Sequence, residues 1–392
     1  MPKIHLGVCG IGFGHASRAV QIAEAIKERG WGFSISSYGE GLEYLKRFGL
    51  DVYKVPEVSY GVLHEGKVSI KMTIFKNILL PVRVLEQTSY ELSLIDKDTD
   101  VVISDTRAST VIAAKMLGKP VLTILNQFNV RILYPRYRWV IESLEAASYL
   151  VGWIWLRSDR ILIADYPPPL TISKETLTFP EDTKVRRKVK YIGPIVESSV
   201  KKLVDVGDLR RKYGIGLDGK PVILFKATGP FYERQMLIKK MTPILEKLDR
   251  EFEVVVTSGG LHVDSPKRES NLRIYEWVED PLELVRISDV VITRAGQTTL
   301  AKILALGKPV LMIPIPGHAE QYGNASSVEE NNAGVKLDEE SLNEETLRET
   351  LNRLLDCKFR KNAQRYSEAF KLSNPIKWVL EEIELILDKA DR

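Results

Sequence analysis

Cysteine is scarce: the chain has two, Cys9 and Cys357, in 392 residues. Two thiols cannot build a disulfide framework, and such usage fits a reducing compartment. Histidine is scarce as well. His5, His15, His64, His262 and His318 stand apart, without helical or CxxC-type ligand spacing, so no metal is expected. No run of about eighteen apolar residues occurs; the nearest, ASYLVGWIWL, is short and follows Glu142 and Glu145. The chain begins on a strand-like run, KIHLGVC, with no charged-then-apolar leader ahead of it. An excess of one charge is also missing. Lys+Arg 56 against Asp+Glu 52 leaves +4, too balanced for nucleic acid to be expected as a partner. The basic cluster KVRRKVK (Lys184–Lys190) reads as a solvated face or loop. These absences lead to the expectation of an intracellular protein, or one peripheral to a membrane.

What is present is α/β grammar at two-domain length. The 44% apolar and 28% charged fractions describe a globular chain, and 392 residues exceed one ordinary core. Apolar strand-like runs alternate with helical periods: KIHLGVC, HASRAVQIAEAIKER, GFSISSY, GLEYLKRF, LDVYKV. The alternation resumes after YIGPI (Tyr191–Ile195) with PVILFKA, a helix near Glu233–Leu248, FEVVVTS, LRIYEW, DVVIT and PVLMIPI. Near-continuous apolar strands read as parallel, doubly wound sheets covered on both faces by helices. The charged, strand-poor stretch from Val196 to Lys220 reads as the linker into a second domain.

The chain also repeats itself. DVVISDTRASTVIAAKMLGKPVLTI (Asp100–Ile124) aligns without gaps to DVVITRAGQTTLAKILALGKPVLMI (Asp289–Ile313), identical at 12 of 25 positions. The two copies are expected to be matching strand–turn–helix–strand units, one in each of two Rossmann-like domains. In each, Gly118 or Gly307 ends the helix and a proline follows. The differences carry the chemistry, because open α/β sheets bind ligands beyond the carboxyl ends of their strands. One turn offers Ser104, Asp105, Thr106 and Arg107. The other offers Thr293, Arg294, Ala295 and Gly296 before Gln297, Thr298 and Thr299. A helix start with free N–H groups, hydroxyls and a nearby arginine suits a phosphate.

A third turn, GVCGIGFGHASRAVQ (Gly7–Gln21), follows the first strand. Gly10, Gly12 and Gly14 are spaced GxGxG, His15 takes the third-glycine position of a dinucleotide fingerprint, and GFSISSY ends without an acid. NAD binding is therefore not expected. His15 at a helix start is a catalytic candidate, against the rival reading of a cap or packing residue.

GIGFGHASRAVQIAEAI, YIGPI and the run from Leu272 to Ala325 (LRIYEWVEDPLELVRISDVVITRAGQTTLAKILALGKPVLMIPIPGHAEQYGNA) together resemble GT-B glycosyltransferases, specifically the family of the lipid II-forming N-acetylglucosaminyltransferase and its archaeal-type relatives. The resemblance spans nearly the whole chain and implies two facing Rossmann-like domains. Residues 1–194 would bind acceptor, 195–372 the nucleotide-sugar donor, and 373–392 form a helix packing back on the first domain. The resemblance further implies that Trp277 and Val278 lie where the uracil edge is read, and that Gly296–Thr299 hold the donor diphosphate. Glu320, Gln321 and Asn324 match the cluster that binds sugar hydroxyls; a polar helix start is the rival reading. Thr228 and Gly229 (FKATGP), with Gly12 and Gly14, would line the donor path. Lys302 stands where the family carries a ribose-binding glutamate, and a lysine cannot accept from ribose hydroxyls.

Inverting transfer needs a base for the acceptor hydroxyl and a stabiliser for the leaving diphosphate. His15 would be the base and Asp105 its orienting partner, with an N-cap as the rival role of Asp105. Arg294 and helix N–H groups would stabilise the leaving group, with no metal or other cofactor. Glu65–Leu85 mixes Lys67, Lys71, Lys76 and Arg83 with apolar residues, as basic membrane-surface helices do. A core helix with a lysine edge is the alternative there, and Trp139–Leu156 offers a second apolar stretch. The expected protein is thus cytoplasmic, peripheral on the inner face of the cell membrane, with a UDP-sugar donor such as UDP-GlcNAc and a hydroxyl or lipid-linked acceptor. The rival functions are a nucleotide-sugar epimerase and a sugar-nucleotide-binding protein with reduced turnover.

Overall fold

The structure is a computed structural model and describes residues 1–58, 63–64, 67–68, 80–129, 151–261 and 272–390. Most of the basic, apolar stretch at 65–85 and of the stretch at 139–156 lies outside the described residues. The chain forms two compact units. One comprises Met1–Pro167, Glu175–Glu197 and Ser373–Arg392; the other comprises Pro168–Lys174 and Ser198–Leu372.

The first unit holds β1 (Lys3–Val8), β2 (Gly32–Ser37), β3 (Tyr53–Lys54), a small antiparallel pair β4 (Leu63–His64) and β5 (Lys67–Val68), then β6 (Val101–Asp105), β7 (Val121–Leu125), β8 (Arg160–Ile163) and β9 (Val189–Tyr191). Its main sheet is parallel, in the order β3-β2-β1-β6-β7-β8-β9. The second unit holds β10 (Val222–Lys226), β11 (Glu253–Thr257), β12 (Arg273–Tyr275), β13 (Val290–Thr293), β14 (Val310–Met312) and β15 (Gly334–Lys336). Its order is β12-β11-β10-β13-β14-β15, again parallel. Strand order reverses between β1 and β6 in one sheet and between β10 and β13 in the other. Those two gaps are the switch points where such sheets bind ligands.

The apolar strands feed two cores because successive side chains point to opposite faces. Val101 and Ile103 pack with Ile4, Leu6 and helix Phe13–Glu28, whereas Val102 packs with Val111, Leu125 and Trp155 on the other face. The last helix, Pro375–Ala390, belongs to the first unit. Its Val379, Ile383 and Ile386 enter the same core as Ile4, and its Glu382 pairs with Arg160 at 2.9 Å and Lys190 at 3.2 Å.

The repeated unit has a mechanical explanation. Asp100 trades two hydrogen bonds with Lys3: its carboxylate accepts the Lys3 N–H at 2.8 Å, and its own N–H reaches the Lys3 carbonyl at 2.8 Å. Asp289 does the same to Val222, at 2.9 and 2.8 Å. Asp159 repeats the clamp on Val121, at 2.7 and 2.8 Å. Each aspartate thus ties the start of one strand to its neighbour. The lysine of GKPVL is equally purposeful. Lys119 donates to the Lys97 carbonyl at 2.7 Å, and Lys308 to those of Arg286 and Ser288 at 2.7 and 2.8 Å. A cation there satisfies carbonyls left open where the preceding helix ends. Gly118 and Gly307, just before the lysines, take the positive φ expected of them, 67° and 68°.

The charged stretch read as a linker is not wholly irregular. Val206–Tyr213 is a helix, capped by the Asp205 carboxylate accepting from Gly207 and Asp208 and ended by Gly214 in the left-handed region. Its low apolar content hid it, because only Leu209 is buried.

Candidate active site

The first switch point is built from the turns after β1 and β6. Val8 and Asp105 are register partners, and the Cys9 N–H donates to the Asp105 carbonyl at 3.1 Å. The glycine-rich turn then leads into helix Phe13–Glu28, whose N-cap Gly12 has φ 67°. At Gly10 a Cβ would lie 1.9 Å from the Tyr38 carbonyl oxygen, so no side chain fits. This tight path seats His15 on the first turn of the helix.

There His15 and Asp105, ninety residues apart, meet: Nδ1 lies 2.8 Å from Asp105 Oδ1. The rival cap role fails, because the following helix, Ala108–Met116, has Arg107 as its N-cap and no side-chain cap bond. Arg18 completes the cluster. It grips both carboxylate oxygens, through Nε to Oδ2 at 2.6 Å and through Nη2 to Oδ1, and donates to Thr106 Oγ1 at 3.1 Å. Arg18 Nη2 also lies 2.8 Å from His15 Nδ1. One ring nitrogen cannot both donate to the carboxylate and accept from the guanidinium. The two-point carboxylate grip fixes the arginine, so Nδ1–H donates to Asp105 and Nη2 merely lies close. Burial alone would raise the Asp105 pKa; the Arg18 charge, with the hydrogen bonds from Arg18 and His15, outweighs it and holds the carboxyl down at about 2. The carboxylate is therefore ionised at neutral pH, and the imidazole Nε2 makes none of these contacts. Thr106, next in the turn, carries φ 56°, a strained value for a β-branched residue that the surrounding bonds enforce.

The sequence carries a signal for Arg18. It stands three residues after His15, hence on the same helix face, and a buried carboxylate needs a cation.

The second switch point lies in the other unit. Thr228, after β10, and Thr293, closing β13, share a hydrogen bond at 3.0 Å between their hydroxyls. Helix Gln297–Ala305 starts at Gly296 with no side-chain cap bond and no acid in its first turn. A Cβ on Gly296 would meet nothing within 4 Å, so the space beside that glycine is open. Thr298 and Thr299 are half-buried beside it, Gln297 is buried, and Lys302 lies further along the same helix. Trp277 follows β12 with 70% of its surface exposed, beside half-buried Val278 and within 4.0 Å of a Cβ on Gly260. Gly229, at φ 110°, opens the loop after β10.

Arg294 is a correction. Only 1% exposed, it turns inward, donating from Nη1 to Glu339 at 2.6 Å and to the Ile313 and Pro314 carbonyls, with Glu233 at 3.7 Å from Nη2. Buried beneath the turn, with Nη1 engaged and Nε and Nη2 making no hydrogen bond, the guanidinium has no surface from which to meet an anion above it. Two residues of the EQxxN cluster also face inward. The Gln321 carbonyl accepts from the Ile315 N–H at 3.0 Å, and buried Asn324 donates to the Ala295 carbonyl at 3.0 Å. They hold the loops that frame the helix start. Glu320, half-buried in the same first turn, takes no part in these bonds.

Known proteins resemble this chain. The model described as "Glycosyl transferase family 1" matches residues 2–190, and the "Glycosyltransferase family 28 C-terminal domain" matches residues 234–377. An uncharacterized glycosyltransferase of Methanosarcina mazei is 27% identical over 380 residues, covering 95% of this chain and 96% of that one. The chain is a GT-B glycosyltransferase. This glycosyltransferase is also 28% identical, over 221 residues, to a Clostridium perfringens UDP-N-acetylglucosamine–N-acetylmuramyl-(pentapeptide) pyrophosphoryl-undecaprenol N-acetylglucosamine transferase, covering 55% of this chain and 59% of that one. Among solved structures, the kitacinnamycin glycosyltransferase superposes with a TM-score of 0.73 at 16% identity, covering 99% of this chain and all of that one; the likeness is of fold. In this GT-B glycosyltransferase both predicted turns thus fall at the switch points of their sheets. Among the described residues, no helix is long and apolar enough to cross a membrane.

Proposed function

We propose that this glycosyltransferase moves a sugar from a UDP-linked donor to a hydroxyl of a lipid-linked acceptor, with inversion and without a metal. The observation that carries the reading is the His15–Asp105–Arg18 cluster at the end of β1 and β6. Asp105, ionised and buried, accepts from Nδ1–H and so leaves the lone pair on Nε2. That nitrogen takes the acceptor proton as the oxygen attacks the anomeric carbon, and the resulting imidazolium is stabilised by the carboxylate. The bond from the anomeric carbon to the donor diphosphate breaks as the new glycosidic bond forms. The diphosphate's growing charge falls on the positive end of the helix that starts after Gly296 and on the hydroxyls of Thr298 and Thr299, since Arg294 is withdrawn. The C. perfringens relative, named for a UDP-sugar donor and an undecaprenol-linked acceptor, supports both substrate classes.

The test has two halves. UDP, added with EDTA, should raise the melting temperature, because a ligand of the folded state stabilises it. Radiolabelled UDP-GlcNAc with a lipid extract should then yield a labelled lipid, lost in His15→Ala. A strict Mg²⁺ requirement for UDP binding would overturn the metal-free reading. Donor epimerised without transfer, or bound without turnover, would move the protein to one of the rival functions.

A further inference from the structure

The turn that seats His15 is apolar where helix starts ordinarily are not. First-turn positions favour Ser, Asp or Glu, whose oxygens meet free N–H groups, yet here Ile11 and Phe13 flank Gly12. Both are left in the open, at 41% and 44% exposure. Phe13 leans on Tyr44 with ring centres 5.5 Å apart, and Tyr44 on Phe48 at 4.9 Å. Tyr44 is half-buried and packs against the core that holds Ile4 and Leu6, so the middle ring is anchored. Phe48, at the end of helix Gly39–Arg47, is 54% exposed. These three rings form a stepped aromatic track that begins two residues from His15 and continues through Tyr44 to Phe48 at the end of helix Gly39–Arg47. Isolated exposed apolar residues need no explanation, but a contiguous row leading out of a catalytic turn does. The far end is basic: Lys46 and Arg47 stand exposed beside Phe48, with no acid in that last helical turn.

We infer that Phe13, Tyr44 and Phe48 bind the hydrocarbon chain of the acceptor lipid. The inference rests on the proposed function, since it assumes that the molecule beside His15 is the acceptor. An apolar chain tethered to the reacting sugar would lie over the rings, while Lys46 and Arg47 meet an anionic bilayer at the far end. The chain thereby gains an aromatic surface whose middle ring is already ordered by the core, so less entropy is lost there in binding it.

The probes are geranyl phosphate, farnesyl phosphate and inorganic phosphate, each below any micelle concentration, titrated calorimetrically into the whole protein. Farnesyl phosphate should bind more tightly than geranyl phosphate, and inorganic phosphate more weakly than either. Phe13→Ser and Phe48→Ser should each weaken farnesyl phosphate binding about tenfold, the scale of losing one large apolar contact. UDP should bind both variants as it binds the wild type. Equal affinity for the two chain lengths, or farnesyl phosphate binding untouched by both substitutions, would overturn the inference. Preference for a soluble aromatic alcohol over farnesyl phosphate would replace the lipid chain with an aromatic acceptor. Because Phe48 lies away from the turn, its variant stays informative if Phe13→Ser disturbs the helix start. Failure of UDP to bind the wild type would strike the proposed function itself; normal UDP binding with chain-blind prenyl binding strikes only the track.

Discussion

Asp105→Asn isolates what the buried cluster contributes. The substitution keeps shape and removes the carboxylate charge that faces Arg18, leaving a guanidinium buried without that partner. Breaking a buried pair on one side costs about 3–5 kcal/mol. Asparagine keeps one acceptor, so the lower half of that range is expected. Hydrogen exchange at the amides of β1 and β6 reads the first unit alone, and protection there should fall about a hundredfold or more at pH 7. Acid supplies an independent check. The Asp105 pKa is depressed to about 2, against an ordinary 3.8. Stability from that carboxylate is therefore complete above the ordinary value and is lost as pH falls towards 2, a change of about 2 kcal/mol. Urea unfolding of the wild type should show that loss between about pH 4 and pH 2; Asp105→Asn should lack it. Adding Arg18→Met removes the orphaned cation, so the double variant should be less damaged than the two single losses together imply. Protection in Asp105→Asn within threefold of wild type, or strict additivity with Arg18→Met, would refute the picture of a charge-paired cluster.

Catalysis gives a second reading of the same residues. His15→Ala should lose about 10²–10⁴-fold in turnover while still binding UDP, and its loss should not multiply with that of Asp105→Asn, because base and orienting group act as one; near-normal turnover in a chemistry-limited assay would send the search for the base elsewhere. Arg294→Ala should destabilise the second unit by about 3–5 kcal/mol, through the stranded Glu233 and Glu339, yet leave UDP affinity in the folded fraction unchanged; a specific loss of UDP binding without loss of stability would restore its role as an anion ligand. Burial lowers the Lys308 pKa to about 8. The unfolded chain therefore binds more protons between pH 8 and the ordinary lysine range, so stability of the second unit should rise with pH across that window, and Lys308→Met should abolish the rise. Co-sedimentation with anionic vesicles, released by salt and reduced by Lys71→Glu with Lys76→Glu, would support membrane association; no binding at low salt would favour a soluble acceptor.

The sequence by itself determined the periodic and local features. The near-continuous apolar runs dictate buried parallel strands, and the echo Asp100–Ile124 and Asp289–Ile313 marks two equivalent units, because each copy needs the same aspartate clamp, the same helix-ending glycine and the same carbonyl-binding lysine. The uncapped helix start at Gly296 was legible for the same reason: a missing acid and a glycine are local facts. Three things required the tertiary structure. Strand order, which no local pattern encodes, makes β1 and β6 neighbours and so brings His15 to Asp105. Burial decided the fate of Arg294: the sequence shows a cation at an anion-binding turn, but only packing reveals that Glu339 and two carbonyls draw it inward. Helix Val206–Tyr213, with one buried residue, has almost no apolar stripe to read. In each case the deciding partner lies far along the chain, and a long-range contact is fixed by how strands and helices stack rather than by the residues on either side of it.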